Sequence, residues 1–325
     1  MAIIKANGYG HGIVGVAKAL EDADAFGVAR LEEGITLREA GIDKTIVLLE
    51  GVFSTNELNA AAMARFELVV HTFEQIKLLE ASDKVSDLAL WLKVDTGMNR
   101  LGFRVEEFSS AHERIRRLKP KTLRLMTHLS AAEARSGTVA LEQIDAFHAV
   151  TAGIDAERTI ANSAGLILWD EARTEWVRPG LMLYGISPIP DVTAQDLGLR
   201  PVMTLTTQLI SVRDVHVGET VGYSGMWQAR RESRVGIAAV GYGDGYPRNI
   251  RSGTPVGVNG VETVVVGRVS MDMTAIDLTH IDAKIGDTVT LWGEAVPVER
   301  VAPFAGTIPY ELVCGISQRV AVEWK

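Results

Sequence analysis

Short apolar runs alternate with amphipathic stretches through the first half of the chain. Apolar residues recur at helical spacing over 105–118 and 139–152, and the short runs elsewhere have the length and bounding residues of buried strands. This alternation predicts repeated βα units around a parallel sheet. Eight strands are predicted, enough for an α/β fold of the closed (β/α)8 TIM-barrel type, with a doubly wound sheet as the alternative. Their predicted starts lie near Ile3, Phe26, Ile46, Leu68, Leu90, Leu125, Ile160 and Val177.

After about Gly198 the pattern changes to short β-rich segments separated by Gly, Asp, Asn and Pro, with little helical periodicity. We therefore expect a barrel domain over 1–198 and a C-terminal, mostly β domain over 199–325. Residues 187–199, which contain two prolines, are the expected connector. The predicted strands of this domain cover 203–212, 234–240, 261–266 and 288–292.

The first predicted strand begins at the first residue, and Lys5 lies at its end. No helix or covering strand precedes it in this sequence. We expect either that N-terminal elements of the barrel domain are missing or that the barrel domain folds without them.

Composition narrows the possible functions. The 325 residues carry a formal charge of -8 and no run of Lys and Arg, which argues against a nucleic-acid or membrane partner and favours small-molecule chemistry. The single cysteine, Cys314, predicts no internal disulfide, and no ligand-spaced Cys/His cluster predicts a metal site. With no apolar stretch of spanning length and no signal peptide, we expect a cytoplasmic protein.

The motif most informative about chemistry is KANGYGHG at residues 5–12, directly after the first apolar run. A lysine at a strand end can form a Schiff base with an aldehyde cofactor, and the glycines that follow let backbone amides approach a phosphate. An isolated lysine there would usually be a solvated charge. The surrounding octapeptide favours the cofactor hypothesis.

This motif resembles the cofactor-lysine motif of the bacterial alanine racemases, and the resemblance continues in order to the C-terminus. The further matching segments are 92–102 (LKVDTGMNRLG), Thr127 with His128, Asn162 with Ser163, 177–185 (VRPGLMLYG), 221–225 (VGYSG), 241–246 (GYGDGY), 267–273 (GRVSMDM) and 308–314 (IPYELVC). The resemblance implies a barrel followed by a β domain and pyridoxal 5'-phosphate as the cofactor. Family members usually carry a further strand and helix before the first motif, and these are absent here.

The resemblance implies two catalytic residues. Lys5 would hold the cofactor and, once released, act as a base on one side of it, with Tyr223 acting on the other. Tyr242 is the alternative tyrosine, and the matching motif places it in the pocket lining. A tyrosine is a poor base at neutral pH, and the resemblance supplies His128 as its hydrogen-bond partner, with Arg178 behind it. Arg178 would also face the pyridine nitrogen and keep it unprotonated. Taken alone, His128 could equally be a satisfied core histidine.

The resemblance also implies binding residues. Tyr9, Ser163, Tyr310 and the backbone amide of Gly180 would hold the phosphate, with Asn162 beside them among the cofactor-binding residues.

Three more positions concern the substrate carboxylate. Arg100 would lie near it and near the cofactor's phenolic oxygen, and the backbone N–H of Met271 would contact it, although that side chain could simply be core. Lys93 matches a lysine that many family members carry as a carbamate, which would hydrogen-bond to Arg100. The alternative is a plain lysine paired with Asp95.

We therefore expect a pyridoxal-phosphate-dependent alanine racemase that acts as a homodimer with shared active sites, Lys5 from one chain and Tyr223 from its partner. The dimer is implied by resemblance alone. Alternatives are a racemase acting on larger or basic amino acids, a non-catalytic cofactor carrier, and a decarboxylase of the same architecture. The sequence leaves open whether the product serves cell-wall supply or D-alanine breakdown.

Overall fold

The computed structural model describes residues 1–325. The chain forms two compact units, Met1–Leu183 and Tyr184–Lys325. The first unit is built on a parallel sheet and the second on antiparallel sheets. None of the helices combines the length and the apolar character needed to cross a lipid bilayer.

The sheet of the first unit follows the order β1-β2-β3-β4-β5-β7-β8, with β6 paired to β5 outside this path. Every pairing in it is parallel, and β1 to β5 consist mainly of buried apolar residues, as expected for strands covered on both faces. The strands are β1 (Ala2–Ile3), β2 (Ala25–Val28), β3 (Thr45–Leu48), β4 (Glu67–Val70), β5 (Ala89–Asp95), β6 (Phe103–Arg104), β7 (Thr122–Met126) and β8 (Arg158–Thr159).

Residues 176–179 close this sheet into a barrel. On one side Trp176 forms a parallel bridge with Thr159 of β8. On the other side the backbone N–H of Ile3 in β1 donates to the carbonyl oxygen of Pro179 at 2.9 Å. The segment thus serves as the eighth strand between β8 and β1, and the prediction of a barrel followed by a β domain is confirmed.

Helices follow the strands of the barrel in the predicted alternation. Helices α4 and α5 begin where Ser54 and Thr72 accept a hydrogen bond from the third backbone N–H of the helix, the usual N-terminal cap. The helices of this unit are α1 (Lys5–Tyr9), α2 (Ile13–Ala19), α3 (Leu31–Glu39), α4 (Thr55–Met63), α5 (Phe73–Glu80), α6 (Val105–Arg117), α7 (Val139–Val150) and α8 (Ser163–Leu168).

A layer of large side chains lies towards the amino ends of the strands. Trp91 on β5 is in register with Arg124 on β7, whose guanidinium carbon lies 5.0 Å from the ring centroid of Trp91 and 5.1 Å from that of Trp176. Such stacking stabilises a largely buried cation. Lys93 and Arg178 each follow one of these tryptophans by two residues. They therefore share its face of the sheet, nearer the carboxyl ends of the strands.

The second unit contains a six-stranded sheet of order β14-β13-β16-β9-β12-β15 and a separate hairpin of β10 with β11. All its pairings are antiparallel. Its strands are β9 (Leu205–Val215), β10 (Thr220–Val221), β11 (Trp227–Gln228), β12 (Ser233–Ala238), β13 (Pro255–Val258), β14 (Val261–Val264), β15 (Thr274–Asp277) and β16 (Thr288–Trp292), and its helices are α9 (Val298–Ala305) and α10 (Pro309–Cys314).

The two compact units separate before Tyr184, earlier in the chain than the expected boundary after residue 198. The segment between these positions is attached to the second unit, because the backbone N–H groups of Ser187 and Ala194 both donate to the carboxylate of Glu299, at 2.9 and 3.0 Å. The division of the chain at residues 198 and 199 stays a prediction.

Candidate active site

Polar and charged side chains gather at the carboxyl ends of the barrel strands, the face on which catalytic residues of such barrels lie. Each sits on a strand end or on the loop that follows it. They are Lys5 after β1, Lys93 on β5, His128 after β7, Ser163 after β8, and Arg178 and Gly180 in and beside the closing strand.

The chain turns sharply after Lys5 into four successive residues of left-handed conformation. Ala6, Asn7, Gly8 and Tyr9 have φ values of 53°, 55°, 62° and 51°. Left-handed backbone costs a residue with a side chain roughly 1–2 kcal/mol, so the surrounding structure must hold Ala6, Asn7 and Tyr9 in place. The segment therefore forms a strained turn directly beside the proposed cofactor lysine.

Hydrogen bonds within residues 5–13 support this turn. The side-chain oxygen of Asn7 accepts from the backbone N–H of Ile13 at 3.0 Å, and its carbonyl accepts from Gly12 at 2.8 Å. The N–H of Gly10 donates to the carbonyl of Ala6 at 3.0 Å. These bonds tie the glycine-rich motif to the first turn of α2 and fix the direction in which Tyr9 leaves the backbone.

Tyr9, Ser163 and Gly180 meet in one place. A Cβ atom on Gly180 would lie 2.7 Å from the hydroxyl of Tyr9, so only glycine allows this approach. The hydroxyl of Ser163 accepts from the N–H groups of Gly180 and Met182, at 2.8 and 3.4 Å. Because Ser163 accepts these bonds, its O–H hydrogen can be donated to a ligand, and together with the hydroxyl of Tyr9 it suits the oxygens of a phosphate group. The residues present fit a phosphate-bearing cofactor.

Asn162 has a clear structural role beside this cradle. Its side-chain oxygen accepts from the N–H of Gly165 at 2.9 Å and caps α8. The cap accounts for an asparagine at this position and holds Ser163 at the start of the helix.

Arg178 is buried and bound on several sides. Nη1 donates to the hydroxyl of Thr159 at 2.6 Å, and Nη2 donates to the carbonyl oxygens of Thr127 at 2.6 Å and Ile160 at 3.1 Å. Burial lowers the pKa of Arg178 to about 10, which leaves the guanidinium charged at neutral pH. A guanidinium has five N–H hydrogens, and these contacts together with one to His128 engage at most four of them, so a donor remains for a ligand.

His128 lies beside Arg178, with Nδ1 at 3.3 Å from Nη2. Burial, followed by the positive charges of Arg178 and Lys93, holds the pKa of His128 well below its ordinary value of 6.5. The imidazole is therefore neutral at physiological pH. The loop that carries it is fixed by Gln143, whose amide nitrogen donates to the carbonyl of His128 at 3.3 Å.

Lys93 is buried among other cations. Burial, and then the charges of Arg178, Arg100 and Lys5, lower its pKa from 10.5 to about 7 against the opposing charge of Asp95. No salt bridge joins Lys93 to Asp95 within 4.0 Å. One oxygen of Asp95 instead accepts from the N–H groups of Gly97 and Asn99, at 2.9 and 3.0 Å. The plain ion pair considered from the sequence does not form, and much of Lys93 is an uncharged amine at neutral pH.

In the second unit the loops of Tyr242 and Met271 are joined. The N–H of Tyr242 donates to the carbonyl of Ser270 at 3.1 Å, and that of Gly243 to the carbonyl of Met271 at 2.8 Å. A Cβ atom on Gly241 would lie 2.2 Å from the carbonyl oxygen of Ser270, so the glycine is needed for this approach. Met271 is exposed, with 53% of its surface accessible, and is therefore no core residue of its own unit.

Tyr223 lies on a short turn close to the same loops. The turn spans Tyr223–Gly225, and 66% of the tyrosine's surface is accessible. Just before it, the carbonyl of Val221 would lie 2.9 Å from a Cβ atom on Gly267, at the start of the segment 267–273. The tyrosine therefore does not pack into the core of its own unit.

Tyr310 begins α10, which ends against the turn that holds Tyr242. A Cβ atom on Gly245 would lie 2.2 Å from the carbonyl oxygen of Gly315, and the N–H of Ser317 donates to the carbonyl of Asp244 at 3.0 Å. The structure thus groups the proposed site residues of each unit separately.

Two family models match the chain, "Alanine racemase, N-terminal domain" over residues 1–188 and "Alanine racemase, C-terminal domain" over residues 202–324. Together they cover nearly the whole sequence. The chain belongs to the alanine racemase family. It is an enzyme, an amino-acid racemase.

Individual relatives of the racemase agree with the family models. It is 49% identical to the alanine racemase of Aeromonas hydrophila, over 100% of this chain and 92% of that protein, and 48% identical to that of Vibrio atlanticus, over 100% and 91%. The biosynthetic alanine racemase of Pseudomonas aeruginosa has a structure similar to it with a TM-score of 0.95 at 42% identity, over 98% of this chain and 90% of that one. The alanine racemase of Bartonella henselae, solved with covalently bound pyridoxal phosphate, matches with a TM-score of 0.86 at 30% identity. The match covers 98% of this chain and 90% of that one.

Several residues that shape this site in the racemase were not singled out in the sequence. The sequence pattern identifies Thr127 only as the neighbour of His128 and gives no signal for Thr159, yet both accept hydrogen bonds from Arg178. Glu33, in the first turn of α3, and His71, directly after β4, also lie close to the carboxyl ends of barrel strands. A buried hydroxyl or carbonyl on a neighbouring strand gives no local pattern, whereas Glu33 could have been noticed as an acidic residue in the first turn of a helix.

Proposed function

We propose that the protein interconverts L-alanine and D-alanine with pyridoxal 5'-phosphate held covalently on Lys5. The observation that carries this proposal is the meeting of Tyr9, Ser163 and Gly180 beside a strained turn that begins at Lys5. The cradle suits the phosphate, and the lysine suits the aldehyde. The covalently bound cofactor of the Bartonella henselae relative supports the same assignment.

Pyridoxal phosphate, when bound, supplies a conjugated ring that accepts the electron pair left at the substrate α-carbon. Arg178 would face the ring nitrogen with an N–H donor of its guanidinium. A guanidinium whose pKa is about 10 holds its proton at neutral pH and leaves the ring nitrogen unprotonated. This weakens electron withdrawal and favours return of a proton to the same carbon. A decarboxylase of this architecture would normally carry an acid there.

Lys5 and Tyr223 are the proposed proton carriers. The Lys5 amine removes or delivers the α-proton on one side, and the Tyr223 hydroxyl does so on the other. Because the Nδ1 atom of His128 accepts from Arg178, its Nε2–H can donate to the tyrosine oxygen and favour loss of the phenolic proton. Racemisation needs both carriers, since a single base would have to cross the plane of the ring.

Arg100 and the backbone N–H of Met271 would bind the substrate carboxylate. Arg100 is exposed and close enough to lower the pKa of both Lys93 and His128 by its charge. Tyr242 and Tyr310 would narrow the pocket, which supports alanine over larger or basic amino acids. Rates with alanine, serine, lysine and arginine separate the two kinds of racemase.

Lys93 is proposed to carry a carbamate. A neutral amine reacts with CO2 to form a carbamate and release a proton, and a pKa of about 7 supplies that amine. The product replaces a cation that repels Arg178, Arg100 and Lys5 by an anion that attracts them. It would orient the guanidinium of Arg100 towards substrate.

The active sites are proposed to be shared within a homodimer, each taking Lys5 from one chain and Tyr223 from its partner. The accessible surfaces of Tyr223 and Met271 in the single chain support a site completed by another copy. No nucleic-acid or membrane partner is proposed, and a cytoplasmic location stays a prediction.

The test is a circular-dichroism assay of L-alanine and D-alanine with and without added cofactor, together with borohydride reduction and peptide mapping. The expected result is racemisation in both directions and a pyridoxyl adduct on Lys5 that is lost in Lys5→Ala. An adduct on another lysine would contradict the assignment of Lys5. Bound cofactor without exchange of the alanine α-hydrogen for solvent deuterium would favour a non-catalytic carrier.

A further inference from the structure

The carboxylate of Glu33, in the first turn of α3, joins two loops of the barrel. One oxygen accepts from the backbone N–H of Ala6 at 2.7 Å, and the other accepts from that of Ala29 at 2.7 Å. Ala29 follows β2, whereas Ala6 is the residue directly after Lys5. A charged acceptor makes such hydrogen bonds short and strong.

The bond to Ala6 fixes the peptide unit on the carboxyl side of Lys5. On the amino side, the carbonyl of Ile4, in the peptide that joins Ile4 to Lys5, accepts from the N–H of Gly8 at 2.9 Å. The peptide before it is tied to β2 by the bond from the N–H of Ile4 to the carbonyl of Gly27 at 3.0 Å. With both neighbouring peptide planes held, the backbone dihedrals of Lys5 have little freedom, and the direction of its Cα–Cβ bond is set.

The same bond supports the strained turn. Ala6 is the first of the left-handed residues, with φ 53° and ψ 52°. Unlike glycine, alanine has a Cβ atom that makes this conformation unfavourable. Glu33 accepts from the N–H of this residue and so anchors the peptide unit from which the left-handed turn begins.

A comparison with helix α4 shows that Glu33 makes one bond more than an ordinary helix-capping residue. In α4, Glu57 occupies the corresponding position and accepts from the N–H of Phe53 in its own loop at 2.6 Å, and its side chain makes no bond to another loop. Glu33 makes the same capping bonds, because it accepts from the backbone N–H groups of Ala29 and Arg30. It also accepts from the N–H of Ala6, which lies 27 residues earlier in the chain. Glu57 is therefore a matched control.

We propose that Glu33 is a positioning residue for Lys5: its carboxylate locks the left-handed turn after Lys5 to the end of β2 and so aims the lysine amine at the cofactor aldehyde. This inference rests on the proposed function of Lys5. Glu33 touches neither substrate nor cofactor and acts through the backbone of Ala6.

The experiment compares Glu33→Gln with Glu57→Gln in the full-length protein. Each variant removes one carboxylate from a helix start, so their losses of thermal stability should be similar. In Glu33→Gln the amide can accept from one backbone N–H but presents its own N–H group to the other. We expect its dissociation constant for pyridoxal phosphate, followed by the visible absorption of the bound form, to rise about tenfold. At saturating cofactor, the kcat of Glu33→Gln should fall severalfold, and its KM for alanine should change less. The cofactor affinity, kcat and KM of Glu57→Gln should stay near those of the unaltered chain.

Glu33→Asp is the second variant, in case the glutamine variant does not fold. It keeps the negative charge at the start of α3, but a side chain one methylene shorter cannot reach Ala6 and Ala29 together. Weakened cofactor binding in it would support the proposal. Cofactor affinity and kcat equal to those of Glu57→Gln in either folded variant would overturn it. If the unaltered protein itself forms no adduct on Lys5, the proposed function fails instead, which the borohydride mapping shows independently.

Discussion

Nη2 of Arg178 lies 3.3 Å from Nδ1 of His128. A guanidinium group has only donors, so Nδ1 must be the accepting nitrogen of the imidazole. A neutral ring that accepts at Nδ1 carries its hydrogen at Nε2. Nη2 also contacts the carbonyl oxygens of Thr127 and Ile160, so the contact with His128 favours the Nε2–H tautomer, which leaves the ring a single donor.

The first prediction is that His128 stays neutral throughout the pH range of activity. Burial and the charges of Arg178 and Lys93 hold its pKa well below 6.5. Nitrogen-15 spectra of histidine-labelled protein should show the Nε2–H tautomer of His128 with no protonation at about pH 6. His216 is the internal control, since its bond with Glu232 raises its pKa above 6.5.

The same two residues should change stability with pH in opposite senses. The folded-state pKa of His128 is lowered, so its contribution is complete above about pH 6.5 and is lost as the pH falls towards the folded pKa. The raised pKa of His216 gives a contribution that is complete below about pH 6.5 and is lost as the pH rises through the folded pKa. A His128→Asn protein should therefore lose less melting temperature on acidification than the unaltered protein. An equal loss, or a protonated His128 near pH 6, would contradict the assignment.

The second prediction concerns Lys93. Because its pKa is about 7, roughly half of the side chain is uncharged amine at neutral pH, against a very small fraction for an ordinary lysine. Incubation with carbon-13 bicarbonate should give a carbamate signal that grows from about pH 6 to about pH 8 as the amine loses its proton. Lys93→Gln should lack the signal, and Lys18→Gln should retain it. No signal at the higher pH would leave Lys93 as an unmodified amine, and Arg100 would need another partner.

The barrel could be predicted because most of its strands lie in short, largely buried apolar runs of the sequence. Seven of the eight predicted starts fall on β1–β5, on β7 and on the closing segment, and the eighth, Ile160, directly follows β8. The family assignment was also confirmed, since motifs spread along the chain carry more information than any one residue.

The contacts that hold the site residues in place were harder to predict. Thr159 lies on β8 with no polar pattern around it, and its bond to Arg178 depends on which strands become neighbours. The bond between Glu33 and Ala6 depends likewise on β1 pairing with β2. Such contacts follow from tertiary packing, and the sequence shows only that the residue types allow them. The roles assigned to Lys5 and Tyr223 stay predictions.

The third prediction separates the two candidate tyrosines. Tyr223→Phe should suppress removal of the α-proton from one enantiomer of alanine far more than it weakens cofactor binding, because the hydroxyl serves one side only. Tyr242→Phe, as the matched change in the adjoining loop, should affect KM more than kcat. The measurement is the exchange of the α-hydrogen with solvent deuterium from each enantiomer separately. Near-normal exchange in Tyr223→Phe with an inactive Tyr242→Phe would reverse the two roles.

The last prediction tests the shared site. If each site combines Lys5 of one chain with Tyr223 of its partner, homodimers of Lys5→Ala and of Tyr223→Ala are both inactive. In a mixed dimer one site carries both lesions, and the other takes the intact lysine from the tyrosine variant and the intact tyrosine from the lysine variant.

Mixing the two variants should therefore rescue activity, with exchange of chains allowed by co-expression or by joint unfolding and refolding. Random two-fold exchange makes about half of the dimers mixed, each with one intact site of two, so the ceiling is about a quarter of the unaltered activity. Differently tagged chains, purified in sequence, isolate the mixed dimer and raise that ceiling to about half. A double variant, Lys5→Ala with Tyr223→Ala, mixed with either single variant is the control and should give no rescue. Recovery near these levels supports a site built from both chains, whereas confirmed mixed dimers without activity would mean that the two residues act within one chain.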